Sequence, residues 1–114
     1  MLFMASTKTH PCPDEVVHIA QRLGGRIRAA RVFRKWRQED LAGRSGLSRS
    51  TIQAIERGEE TVAIGSVLQV LWLLGLAGEV ELIADPGLDR DGLSLALDAA
   101  KKRVYVQRKA DDDF

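Results

Sequence analysis

Between Gln38 and Arg57 the chain reads QEDLAGRSGLSRSTIQAIER, a run whose apolar, small and polar residues fall where two short helices joined by a tight turn need them. Two helices that cross at roughly 90–120° over a three- to four-residue turn approach closely at one point, so the residue there must be small. Ala42 meets that need. Leu41 and Ala42 lie on the inner face of the first helix, Gly46 ends it by taking positive φ without a Cβ penalty, and Leu47 turns back inside. Ser48 opens the second helix, where its hydroxyl can accept from the backbone N–H of Ser50 or Thr51. Ile52 and Ile55 form the buried stripe of that helix, and Gly58 stops it behind Arg57. Arg49, Ser50, Gln53 and Ala54 then face mainly outward, with Thr51 at the boundary.

The formal net charge is only +1, but it is unevenly spread. Arg22 to Arg57 carries ten Lys/Arg against three Asp/Glu, whereas the residues after Arg57 sum to −5. The basic block coincides with the helix-turn-helix run, and such a patch releases counterions from DNA and makes binding steeply salt dependent. Taken alone, the block also suits a solvated helix face. Arg34, Lys35 and Arg37 surround Trp36 at the approach to the motif, placing basic side chains where they can touch backbone phosphates. Trp36 itself reads as a packing residue. Glu59 and Glu60 form an acidic turn that should point away from DNA.

At these residues the chain resembles the Cro/cI-type (XRE) helix-turn-helix repressors, over roughly Ile19 to Leu76, with SRSTIQAIERG as the most specific stretch. The resemblance implies that Gln38 contacts phosphate and packs on the recognition helix, and that Arg49, Ser50, Gln53 and Ala54 read base edges. Arg49 can donate a fork of hydrogen bonds to guanine and Gln53 can pair with adenine, each worth about 1–3 kcal/mol of discrimination. Ser48, Thr51 and Arg57 look like phosphate ligands, which position a protein without reading sequence. Ser45 departs from the larger apolar residue often found at its position.

At 114 residues the chain suits one domain with extensions. Residues 1–13 contain Pro11 and Pro13 without periodicity and read as a flexible arm; residues 14–76 form the helix-turn-helix domain. Within it, a first helix is expected from about Asp14 to Phe33 on a stripe of Val16, Ile19, Ala20, Leu23, Ile27 and Ala30, with Gly24 and Gly25 weakening its centre. Ala63 to Leu74 reads as a helix with more apolar residues than one small bundle can bury, which suggests a partner chain. In GEVELIADP, Glu79 to Leu82 alternate in a two-residue period, so residues 77–86 are expected to hold a short strand. A lone strand has no sheet to join, and pairing with its copy would make an isologous dimer. Val67, Leu71, Trp72, Val80 and Leu82 are the expected dimer contacts.

A repressor domain that ends in a lone strand, with an apolar fourth helix, is similar to the HipB-type antitoxins. That resemblance implies a dimer lid of two strands, autorepression of an operon, and neutralisation of a HipA-type serine/threonine kinase toxin. In residues 87–114, Leu93, Ala96, Leu97 and Ala100 line a short helix, followed by KKRVYVQRK. That basic segment suits a second strand, an added DNA-backbone contact, a partner-docking segment or a frayed solubilising end. Tyr105 and Phe114 are the candidate toxin contacts.

The expected fold is therefore mainly α: a lambda-repressor-like bundle of about five helices, including a short C-terminal one, plus a dimer-forming β-strand. A lone Cys12 leaves no internal disulfide, and the absence of a charged-then-apolar leader or long apolar span points to a cytoplasmic protein with no membrane partner. His10 and His18 have no triad or ligand partner at useful spacing, so no enzyme activity, metal or cofactor is expected. Asp89, Asp91 and Gly92 resemble part of a calcium loop, but Gly87 stands where the first carboxylate belongs, and the segment reads as a turn. The expected partners are palindromic operator DNA, a second copy of the chain and the kinase toxin; the alternative is a stand-alone dimeric XRE-type regulator with no toxin partner.

Overall fold

A computed structural model describes residues 12–112, and every described regular element is a helix. In chain order these are α1 (Asp14–Phe33), α2 (Gln38–Ser45), α3 (Arg49–Arg57), α4 (Ile64–Leu73), α5 (Ala77–Val80) and α6 (Arg90–Asp112). They fall into two compact units, one ending at Ala77 and the other starting at Gly78. No described helix is long and apolar enough to cross a membrane. The expected arm lies outside the described residues except for Cys12 and Pro13, as does Phe114.

In the first unit, Pro13 precedes α1 and Asp14 and Glu15 occupy its first turn, where negative charge complements the helix dipole. α1 packs on α3, and α2 packs on both α3 and α4. The core between them is Ile27 and Ala30 of α1, Leu41 of α2, Ile52 and Ile55 of α3, and Val70, Leu71 and Leu74 at the end of α4. Only the second half of the expected α1 stripe is buried; Val16, Ile19 and Leu23 remain exposed.

Gly24 is a requirement of this packing rather than a weak point. A Cβ there would stand 2.6 Å from the Ile55 carbonyl oxygen and 2.7 Å from that of Glu56. Gly58 answers from the other side: a Cβ on it would meet the Ala20 carbonyl oxygen at 2.6 Å, and its φ of 76° suits glycine. Two glycines thus let the backbone of α1 run against the C-terminal end of α3. α4 ends with Gly75 at φ 79°, its last carbonyls taken by the Gly75 N–H on Trp72 at 3.0 Å and the Leu76 N–H on Leu71 at 2.8 Å.

The second unit corrects two expectations. There is no strand among the described residues. Ala77–Val80 is the short helix α5, followed by turns in which the Leu82 N–H donates to Glu79 and the Ile83 N–H to Val80, at 3.2 and 3.0 Å. The physical reason is local: a single unpaired strand leaves a row of backbone groups without partners, whereas successive turns satisfy them within the segment. The dimer-forming strand expected over residues 77–86, with Val80 and Leu82 as its contacts, does not form; Val80 is half-buried at the end of α5 and Leu82 is exposed in the turn. Nor is the C-terminal helix short. α6 runs 23 residues through KKRVYVQRK, so that segment is helical rather than a second strand. The DRDG segment starts it: the Asp89 carboxylate accepts from the Gly92 N–H at 3.0 Å, as a helix cap does.

Candidate nucleic-acid interface

The geometry of α2, the turn and α3 is set by short-range hydrogen bonds. At the start of α2 the Arg37 N–H donates to the Asp40 carboxylate at 2.8 Å, and Gly46 closes the helix at φ 75°. Ser45, which breaks the usual apolar pattern, is buried with its polar atom satisfied. Its hydroxyl donates to the Ala42 carbonyl at 3.2 Å and accepts from the Leu47 N–H at 3.1 Å. Gln69 of α4 donates its side-chain amide to the Ser45 carbonyl, so the turn is held from a third helix. The Ser48 hydroxyl accepts from the Thr51 N–H at 3.1 Å and lies 3.1 and 2.9 Å from the hydroxyls of Ser50 and Thr51. Three hydroxyls therefore cluster at the N-terminus of α3, the end where backbone N–H groups and the helix dipole favour an anion.

Behind α3 lies a buried ionic network. The Arg31 guanidinium donates to both Glu56 oxygens, from Nε at 2.6 Å and from Nη2 at 3.0 Å, and its third nitrogen donates to the Trp36 carbonyl at 2.8 Å. Gln38 joins through its amide, which donates to Glu56 Oε1 at 3.1 Å. The side chains of the ion pair are 9% and 3% exposed. One network therefore links α1, the bend after it, the first residue of α2 and the inner side of α3. No buried side-chain nitrogen or oxygen among the described residues lacks a partner.

The outward residues are placed unequally. Arg49 and Ser50 are exposed at the start of α3, while Thr51, Gln53 and Ala54 are half-buried along it. Gln38 is anchored to Glu56 rather than extended. Arg37 is exposed, 3.3 Å from Glu39 and 3.9 Å from Asp40. Arg57 is also exposed, and its Nε donates to Glu59 at 2.9 Å, so the acidic turn reaches back to the cation expected at phosphate. Arg28 of α1 joins Gln38, Gln53, Glu56 and Arg57 around a shallow open hollow. Trp36 is half-buried, with the Arg44 guanidinium 4.3 Å above its ring.

The three α4 residues expected at the dimer contact are placed unequally. Leu71 is 7% exposed and belongs to the core, because Val70, Leu71 and Leu74 share the inner stripe. Val67 is half-buried and lines a groove with Leu23 and Ile27 of α1. Trp72 is 67% exposed and shares its face, at four-residue steps, with Ile64 and Leu68. Tyr105 of α6 is exposed, and no group of three or more His, Cys, Asp or Glu able to hold a metal occurs among the described residues.

Arg28, Arg31, Glu56 and Gln69 are the residues that pattern reading passed over. Two of them carried a signal. Arg31 stands four residues after Ile27, and Glu56 four after Ile52, so opposite charges occupy two core stripes at helical spacing.

This construction, two short helices held at a fixed angle with a free polar face on the second, defines the helix-turn-helix class. Residues 22–82, more than half of the chain, match the helix-turn-helix domain family, and the chain belongs to it. It is 44% identical over 59 residues to y4dL of Sinorhizobium fredii, named an uncharacterized HTH-type transcriptional regulator. That stretch covers 52% of the chain and 28% of y4dL, so the chain matches well under half of this relative. It is 38% identical over 58 residues to y4mF of the same organism, which carries the same description; there the match covers 51% of the chain and 76% of the relative. No solved structure matches the chain.

Proposed function

We propose that the chain is a sequence-specific DNA-binding transcriptional regulator of the Cro/cI (XRE) type, acting as a repressor. The observation that carries this reading is the exposed polar face of α3, held from behind by a buried Arg31–Glu56 pair that leaves Arg49 and Ser50 directed outward. Arg49, Ser50, Gln53 and Ala54 are the proposed base readers. Ser48, Thr51 and Arg57 are proposed to position the helix on phosphate, with Gln38 and Arg37 beside them. The activity is then binding alone, and catalysis forms no part of the reading.

We place the dimer contact on the outer stripe of α4, Ile64, Leu68 and Trp72, which stand 74%, 39% and 67% exposed. A two-fold dimer would present two recognition helices to half-sites about 34–36 Å apart. Between a stand-alone regulator and the antitoxin of a HipA-type kinase, the stand-alone reading is preferred, because the strand lid that suggested the antitoxin is replaced by a helix and turns.

The deciding experiment selects bound duplexes from a random library with the full chain and with Arg49→Ala. The wild type should enrich a palindrome, and Arg49→Ala should lose about 1–3 kcal/mol of discrimination at one base pair per half-site while still binding. Enrichment of no sequence by the wild type refutes the base-reading assignment. Affinity purification from the native cell after nuclease treatment separates the two roles: a stoichiometric kinase-sized partner would restore the antitoxin reading.

A further inference from the structure

We infer that the C-terminal half of α6 is a second DNA-backbone contact, in which Lys101, Lys102, Tyr105, Arg108 and Lys109 bind phosphates without reading sequence. The inference rests on the DNA-binding reading of α3 and extends it to a part of the chain outside the helix-turn-helix.

Residues 101–109 contain five Lys/Arg and no acidic residue. α6 is continuous through them. At about 100° per residue, Lys101, Lys102, Tyr105, Arg108 and Lys109 fall within an arc of about 120°, one face of the helix. All five are exposed. Tyr105 stands inside that arc with a hydroxyl able to donate to a phosphate oxygen, as tyrosine does at DNA backbones. The ion pairs among the described residues lie at Arg31, Arg37 and Arg57, and none engages Lys101, Lys102 or Arg103.

The helix dipole does not account for this charge. Its effect fades beyond the last turn, where Lys109 is the only basic residue. Three of the five cations precede that turn by about two turns of helix.

A basic helix can also lie on an anionic membrane, but that mode needs a broad apolar face opposite the charge. Here Val104 continues the stripe of Leu93, Leu97 and Ala100 from the first half of α6, but within residues 101–109 the only aliphatic residues are Val104 and Val106, about 160° apart around the axis, so the basic segment itself has no broad apolar face. A polyphosphate backbone requires none. Because α6 and α3 share one chain, a duplex held by α3 meets α6 at a raised effective concentration, and weak contacts then add to the whole.

The test compares the full chain with the quadruple variant Lys101→Gln, Lys102→Gln, Arg108→Gln, Lys109→Gln on two probes. One is a random-sequence 30-base-pair duplex (about three helical turns, long enough for two backbone contacts); the other is a duplex enriched by selection. Each phosphate neutralised contributes about −0.9 to the slope of log affinity against log salt. The variant should show a slope shallower by about 3 to 4, and lose the same factor of affinity on both probes. The control variant Lys101→Arg, Lys102→Arg, Lys109→Arg should keep the wild-type slope, and circular dichroism should report unchanged helix in both.

An unchanged slope in the quadruple variant, with wild-type binding intact, overturns the α6 contact and leaves the α3 reading standing. Failure of the wild type on both duplexes overturns the α3 reading itself. Binding to phosphatidylserine vesicles that the quadruple variant abolishes, alongside an unchanged DNA slope, assigns the face to membrane and overturns the proposal.

Discussion

α3 and α6 both turn a polar, basic face outward, and they differ in what lies behind it. α3 is only nine residues long, yet Ile52, Ile55 and Glu56 are buried, and Gly24 and Gly58 admit the backbone of α1 against its end. α6 is 23 residues long, and none of its described side chains is buried. The contrast fits the roles proposed for the two faces. Reading a base edge requires donors held in a fixed geometry, because the discrimination comes from paired hydrogen bonds. Phosphates repeat along the whole duplex and accept charge from many positions, so a contact to them tolerates a helix that no core pins in place. On that proposal, anchoring is concentrated where specificity needs it.

The anchoring of α3 is tested most directly at Glu56. Replacing it with alanine leaves the Arg31 guanidinium buried without its carboxylate, and should cost about 3–5 kcal/mol in urea unfolding. The double change Arg31→Met, Glu56→Leu should recover most of that loss, since well-packed apolar residues of similar volume often replace a buried pair at little cost. A single-variant cost below 1 kcal/mol would show that the network does not hold α3.

The next test sets one helix against the other. Ile52→Ala should cost about 2–5 kcal/mol, the range for a buried aliphatic side chain. Leu97→Ala, at an exposed position of α6, should stay within about 0.5 kcal/mol. Equal costs in chemical denaturation would remove the distinction between an anchored and an unanchored helix.

The smallest effect sharpens the picture at the edge of the interface. Glu59→Gln removes the carboxylate now paired with the exposed Arg57, a surface pair worth at most about 1 kcal/mol. Stability should barely change. DNA affinity should rise, and the salt slope should steepen by about 0.9 as Arg57 becomes available to a phosphate. A slope that does not move would remove Arg57 from the backbone contacts.

Much of the first unit was legible from residue pattern because its signals are local. Capping by Ser48, the positive φ of Gly46 and Gly58, and the stripe of Ile52 and Ile55 each depend on residues a few positions apart. Local reading misled where a pattern admits two backbone solutions. Glu79 to Leu82 alternate as a strand does, but no partner strand exists in the described chain, and short-range helical turns satisfy the same amides. It also misled where a helix is apolar on more than one side: the sequence of α4 does not say whether Leu71 or Trp72 faces the core. Packing of α2 against α4 puts Leu71 inside and leaves the stripe of Ile64, Leu68 and Trp72 outside.

Residue order alone yields the helix-turn-helix and its caps, because helix periodicity and turn chemistry are properties of neighbours along the chain. Packing between helices is what pairs Arg31 with Glu56, ties Gln38 to them, sets Gln69 on the turn and makes Gly24 an opening for α3. Those contacts join residues about 25 positions apart in the chain or lie between helices, and no periodicity encodes which two helix faces will meet.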